Sequence, residues 1–327
     1  MRSVKRWAVI AVGILAMAGC KPKEGGATDS GKRYSIGISI PTGDHGWTAG
    51  VGYWAKQAQA AHPEIDWQYA QAGDADKQKK DIEVMMTRGV DAIVIDPTDP
   101  GSLSDLIGTA HKRGIFIVNV DRGLPPNKDG PVSDVFIEGD NKAFGRRSAE
   151  YICQKMHDTG NLVILQGMDN QVNTDRVDAA MAVFKAHGIT PLASPSAGWD
   201  RDKGLSVMKT LLAKYPHIDA VWAGDDDVAL GAIQAIKDVG RDKEMWVVGG
   251  AGMKDVVKMI MDGDPMIPAD VTYPPSMIGT GIHLAASAVR NGKLEQLKPM
   301  LPAHLTLDAD LVTKENAKRF YFPDSAY

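Results

Sequence analysis

From residue 34 onward, short apolar, β-branched runs alternate with stretches whose apolar residues recur every three or four positions. The first pattern predicts strands at 34–40, 65–70, 92–95 and 115–120, and the second predicts helices at 47–61, 75–88 and 102–113. In the first helix Val51, Trp54, Ala55 and Ala58 share one face. Gly89 and Gly114 stand where the second and third helices should stop. The alternation then restarts, with strands at 161–166, 220–223 and 245–248 and helices at 174–187, 203–214, 228–239 and 254–261. Val177, Met181 and Phe184 form one helical stripe, and Ala229, Ala232, Ile233 and Ile236 another. Pro274-Pro275 suits the opening of a last helix, whose face is Ile278, Ile282, Ala285, Ala286 and Val289. Strand–helix alternation with short connections implies parallel sheets covered by helices. About twelve strands exceed one comfortable sheet, so the expectation is an α/β protein of two lobes.

The first residues break this pattern. Arg2, Lys5 and Arg6 precede an uncharged run from Trp7 to Met17, and Ala18 and Gly19 lead into Cys20. The apolar run is too short for a permanent membrane span and reads as an export signal. Met17-Ala18-Gly19-Cys20 resembles a bacterial lipobox, which would make Cys20 the lipidated first residue; ordinary cleavage after Ala18 is the competing reading. Residues 21–31 hold Lys, Gly, Pro, Ser and Thr without large apolar side chains, which suits a flexible tether. Loss of the three signal cations takes the formal charge from −4 to −7. With no basic stripe, nucleic acid is excluded as a partner. Cys153 is the one other cysteine, so no disulfide is expected, and it reads as a buried helix residue without chemistry.

Ligands of open parallel α/β sheets bind beyond the carboxyl ends of the strands. Those loops hold Asp44, His45 and Trp47; Asp121-Arg122; Asp169, Asn170 and Asn173 with Arg176 a turn later; Asp225–Asp227; and Gly249–Gly252. Carboxylates accept from sugar hydroxyls, arginine and asparagine donate to them, and Trp47 or Trp199 could cover the C–H face of a ring. Plainer readings compete. Asp121-Arg122 could be a turn with a surface ion pair, Trp47 could be core, and Asp225–Asp227 could cap a helix. Trp222 and Trp246, inside strands, read as core. His111, His157, His187 and His217 read as surface residues. The sequence has no Gly-x-Ser-x-Gly, no His-Glu-x-x-His and no phosphate loop, so neither an enzyme nor a cofactor or metal is expected.

In order and at spacing, Asp96-Pro97-Thr98-Asp99, Val120-Asp121-Arg122, Asp200-Arg201-Asp202-Lys203-Gly204-Leu205 with Val207-Met208, Ala223-Gly224-Asp225-Asp226 and Ala229-Leu230-Gly231-Ala232 resemble the ribose/galactose-binding group of bacterial ABC importers. The resemblance runs from about residue 34 to the early 300s. It implies the periplasmic-binding-protein type 1 fold: two similar lobes, each a parallel sheet flanked by helices, joined by a three-crossing hinge. The lobes would comprise 34–138 with 273–304 and 139–272 with 305–327, after a signal at 1–19 and a tether at 20–33. Crossings are expected near 138–139, 271–273 and 304–305.

Carried over residue by residue, the resemblance implies that Asp121 and Arg122 bond the sugar from the first lobe, with Trp47 on its ring and Asp44 nearby. Arg176, Trp199 and Asp225 would serve from the second lobe, and Tyr273 from the hinge. Gly46, Gly250 and Ala251 depart from the family pattern, which implies a roomier pocket unsuited to ribose. Another pentose or hexose, a polyol or an amine-bearing ligand is expected instead. No calcium loop is recognisable. The implied function is a monomeric, lipid-anchored periplasmic protein that delivers a sugar or polyol to an ABC permease and its ATPase. A receptor-coupled sensor of a sugar or quorum signal is the alternative, and a hydrolase using Asp121, Asp225 and His45 is a remoter one.

Overall fold

The computed structural model describes residues 33–43, 46–290 and 298–327. Cys20, Asp44 and His45, and with them the signal, the lipobox and most of the tether, lie outside the described residues. The first run of elements is β1 (Ser35–Pro41), α1 (Gly46–Ala60), β2 (Asp66–Ala72), α2 (Ala75–Thr87), β3 (Ala92–Ile95), α3 (Pro100–Lys112), β4 (Phe116–Val120) and β5 (Val135–Gly139). The second run is α4 (Asn141–Met156), β6 (Leu162–Leu165), α5 (Gln171–Ala186), α6 (Arg201–Lys214), β7 (Ala220–Ala223), α7 (Asp226–Asp238), β8 (Trp246–Val248), α8 (Lys254–Asp262) and β9 (Ala269–Val271). Then come α9 (Met277–Arg290), β10 (His304–Leu307) and β11 (Leu311–Thr313).

The strands form two sheets, in the orders β10-β5-β4-β3-β1-β2 and β11-β9-β8-β7-β6. Every pairing is parallel except β11 with β9, which is antiparallel and departs from the expected all-parallel pattern. β3, β4, β6 and β7 are buried at every residue, which accounts for their unbroken apolar sequences: helices cover both faces. Trp222 is fully buried, as expected of a core residue. Trp246 is only half-buried, because it begins its strand, edge-on to Tyr151 and beneath Lys155.

The chain passes between the sheets three times: after β5, after β9 and after β10. The third passage lies at Asp308–Asp310, a few residues beyond the expected 304–305, because His304–Leu307 pairs with Phe136–Gly139 as a strand of the first sheet.

Several helices begin two or three residues earlier than their apolar stripes suggest. In each case a polar residue ahead of the stripe caps the helix. Asp99 accepts from Gly101 N and Ser102 N, Asn170 from Asn173 N, Asp200 from Lys203 N and Asp225 from Asp227 N. Asp99, Asn170 and Asp225 stand at the carboxyl ends of strands, so there helix termini and candidate binding residues share the same loops.

Candidate ligand-binding cleft

The first lobe supplies Asp121 and Arg122, immediately after β4. Asp121 N donates to Ile137 O at 2.8 Å, and the residue adopts a left-handed φ of 65°. Such a conformation is uncommon away from glycine, although aspartate tolerates it better than most, and it clusters at functional sites. It turns the carboxylate inward, where only 4% of the residue is exposed. Arg122 Nη1 donates to Thr98 O at 3.2 Å and Pro97 O at 3.4 Å, and its Nε lies 3.5 Å from Asp121 Oδ2. The loop carrying those carbonyls is held by Gln78, whose Nε2 donates to Asp96 O and whose Oε1 accepts from Thr98 N. Behind the pair, burial first and Asp121 second push the Asp96 carboxyl well above its ordinary range.

Trp47, at the start of α1, is buried, and its Nε1 donates to Tyr273 O at 2.8 Å. Tyr273 lies on the second passage between sheets. Its hydroxyl donates to Asp121 Oδ1 at 2.6 Å and accepts from Asn141 Nδ2 at 3.4 Å. Burial, followed by the Asp121 charge, pushes the phenol well above its ordinary range, so it stays a donor.

From the second lobe, Arg176 reaches under the cleft from α5. Its Nε donates to Asn141 Oδ1 and its Nη1 to Gly224 O, both at 2.9 Å. The guanidinium lies 4.0 Å from the centroid of the Phe144 ring and 4.4 Å from that of Tyr273, contacts that favour the cation in a desolvated position. Trp199, with a φ of 58°, approaches the same guanidinium at 5.9 Å. Asp225 is buried at the start of α7. Burial, then Asp226 and Asp227, push its carboxyl well above the usual range, while Arg176 pulls it back.

Beneath Asp225, Asp226 accepts from Gly250 N at 2.8 Å and Met253 N at 2.7 Å, and shares a hydrogen bond with Asp270. Burial raises both carboxyls, that of Asp270 to about 7. Asp227 links the lobes: its Oδ2 accepts from Gly46 N at 2.9 Å, and its Oδ1 accepts from Arg201 Nη2 at 2.7 Å.

These groups converge on one partly open cavity, lined by Trp47, Asp121, Arg122, Arg176, Trp199, Asp225 and Tyr273, with Val172 and Ala251 between them. It gathers all the ligand residues expected from the sequence except Asp44, which lies outside the described residues. Asp225 both caps its helix and lines the cavity, so the two readings of that residue are compatible. A wider opening shares Asp121, Arg122 and Val172 with the cavity and is edged by Asp99, Glu138 and Asp169.

Sequence reasoning missed Asn141, Phe144 and Val172. Asn141 follows β5, a strand the sequence pattern did not predict, so the strand-end rule could not reach its position. Phe144 and Val172 looked like ordinary apolar helix residues and carried no local signal.

The profile of a family described as the periplasmic binding protein domain matches residues 36–294. The chain belongs to this family. It is 30% identical to the ribose import binding protein RbsB of Bacillus subtilis over 278 residues, covering 84% of this chain and 87% of that one. It is also 30% identical to a xylitol-binding protein of Mycolicibacterium smegmatis over 256 residues, covering 76% of this chain and 70% of that one. A solved ABC transporter solute binding protein from Mycobacterium smegmatis with bound glycerol superposes with a TM-score of 0.77 at 29% identity, covering 90% of this chain and 99% of that one. Like the rest of this family, the chain is a binding protein and not an enzyme.

Of the three departures expected to open the pocket of this periplasmic binding protein, Ala251 lines the cavity, and the two glycines do not add space. At Gly46 and Gly250 other side chains occupy it. A Cβ on Gly250 would lie 2.2 Å from Phe144 Cζ. One on Gly46 would lie 2.7 Å from Asp227 Oδ2, 3.0 Å from Met253 Cε and 3.1 Å from Tyr327 Cε2. The glycines are the counterpart of a cleft packed from behind by larger residues.

Proposed function

We propose that this chain is the extracytoplasmic solute-binding subunit of an ABC importer and that its lobes close on one sugar or polyol molecule. The observation that carries this reading is the lining of the cavity: two carboxyl groups, two guanidiniums and three aromatic rings, drawn from both lobes and the hinge, around one partly open space. Hydroxyl acceptors, guanidinium donors and apolar ring faces on one cleft suit a monosaccharide or an open-chain polyol. Ribose and xylitol binding by relatives supports the same ligand class.

In this reading Asp121 and Asp225 accept ligand hydroxyls, and Arg122 donates to ligand oxygens. Arg176 has Nε and Nη1 engaged by protein, so Nη2 is the donor assigned to the ligand. Trp47 and Trp199 cover the C–H faces, and Tyr273 fixes Asp121. Charge-assisted hydrogen bonds of roughly 1.5–3 kcal/mol each make the ~8 kcal/mol of micromolar affinity attainable with a few of them. Asp44 would complete the first-lobe side.

The same proposal places the protein in the periplasm as a monomer held by lipid on Cys20, whose several acyl chains would anchor it where one would not. Cys20→Ala should release it from the membrane fraction. Deleting the gene tests the transport role: an importer subunit loses uptake of the ligand. Loss of a transcriptional or chemotactic response with uptake intact would mean a sensor instead.

A further inference from the structure

Far from the cleft, the carboxyl ends of α4 and α5 meet. α4 ends at His157, which adopts a left-handed φ of 52°, and Asp158 follows at 60°. This reversal lets Asp158 N donate to Cys153 O at 3.0 Å and folds Asp158 back over the last turn of the helix. His187 caps the end of α5, and its Nδ1 lies 2.8 Å from Asp158 Oδ1. The Cys153 sulfur, a carboxylate oxygen of Asp158 and a ring nitrogen of His187 consequently all lie within 4.8 Å of one another. Cys153 is fully buried, while the side chains of Asp158 and His187 are exposed. Neither the cleft nor its closure uses any of the three.

We propose that Cys153, Asp158 and His187 form a binding site for a thiophilic divalent cation, zinc being the ion whose chemistry fits best. Sulfur, imidazole nitrogen and carboxylate oxygen are the three donor types zinc takes, at about 2.0–2.3 Å, and three protein ligands leave one position for water. Tetrahedral bonds of that length require the Asp158–His187 pair, now at 2.8 Å, to open by roughly half an ångström and the gap to the sulfur to close by about 1 Å, which the two exposed side chains can do. Two helix carboxyl ends point at the site, and their dipoles favour positive charge. Burial, then Asp158, pushes the Cys153 thiol up to about 11, so the sulfur is an inert thiol until a metal displaces its proton. Cys153 lies twelve residues, roughly 18 Å of helix, from Asn141 at the cleft, so the site can be filled or emptied without touching the sugar ligand.

The test uses the full chain carrying Cys20→Ser, so that Cys153 is its one thiol, stripped with chelator and titrated with cobalt(II) under anaerobic conditions. The expected result is a thiolate-to-cobalt charge-transfer band that saturates at one cobalt per chain and is bleached by zinc. Cys153→Ser should abolish the band. His187→Gln, an exposed change that leaves the fold intact, should weaken cobalt binding at least tenfold. No band at millimolar cobalt, or binding of unchanged affinity in His187→Gln, would overturn the proposal.

Discussion

The Tyr273 hydroxyl donates to Asp121 Oδ1 at 2.6 Å, joining the hinge to the carboxylate at the end of β4. One oxygen of Asp121 is thereby fixed, and the other lies toward Arg122. A side chain in a left-handed loop conformation is thus held in the cleft by a residue on the passage between lobes. Tyr273→Phe keeps the ring under Arg176 but removes this donor. Ligand affinity should fall about tenfold, the lower end of what a hydrogen bond to a charged group contributes. Calorimetric titration of the variant checks it; unchanged affinity would mean that the bond does not position Asp121.

Asp121→Ala and Arg122→Ala should each weaken binding at least tenfold with little loss of fold. Asp121 contributes mainly to the cavity, and Arg122 takes its support from the carbonyls of Pro97 and Thr98. Equilibrium binding together with thermal unfolding separates the two effects. Normal binding by both variants would remove the first-lobe half of the site.

Asp227 accepts from Gly46 of the first lobe and from Arg201 of the second, which makes it a fastener of the closed form. Asp227→Ala should speed ligand release about five- to tenfold and leave association nearly unchanged, since changes within one interface fall mostly on the off-rate. Stopped-flow fluorescence, with the buried tryptophans as reporters, reads both rates.

Gly250→Ala should destabilise the protein by about 1–3 kcal/mol through overpacking against Phe144. Adding Phe144→Leu should recover part of that loss. A double-mutant cycle by chemical denaturation measures the coupling, and strict additivity would mean that Phe144 does not fill the space opposite Gly250.

Stability should fall as pH rises from 5 to 8. Asp225, Asp226 and Asp270 are raised by burial above the ~3.9 of an unfolded aspartate. The folded state therefore binds more protons in this window, and ΔG of unfolding decreases with pH. The contribution is complete below about pH 4 and, for Asp270, is lost as pH passes through about 7. Carboxylates held low, such as Glu244 at about 2, lose their contribution only on acidification and are silent here. Melting temperatures of the ligand-free chain should show the decline, and Asp270→Asn should flatten it.

The sequence made the buried strands and the strand-end residues legible for physical reasons. A run such as Ala92–Ile95 has one plausible environment, and the loop after it has one plausible use. What it concealed was of two kinds. Helix starts at Pro100, Gln171, Arg201 and Asp226 were hidden because their caps look like loop residues until their backbone partners are known. The short strands β5, β9, β10 and β11 owe their existence to pairing between segments far apart in the chain, which no local pattern encodes. The two glycines misled for the same reason: Gly46 and Gly250 read as missing bulk, whereas Phe144, Asp227, Met253 and Tyr327 fill the space from other elements. Cys153, Asp158 and His187 carried no signal, because two helix ends unite them.

The central claim, capture of a sugar or polyol between the lobes, is tested most directly by thermal unfolding of the chain from residue 33, refolded to strip carried ligand, against a panel of pentoses, hexoses, polyols, amino sugars and nucleosides. One stereospecific sugar or polyol should add about 2.7 kcal/mol at a hundred times its dissociation constant, an effect lost in Asp121→Ala. A well-folded protein that responds to none of them, or a response that survives Asp121→Ala and Arg122→Ala unchanged, would contradict it.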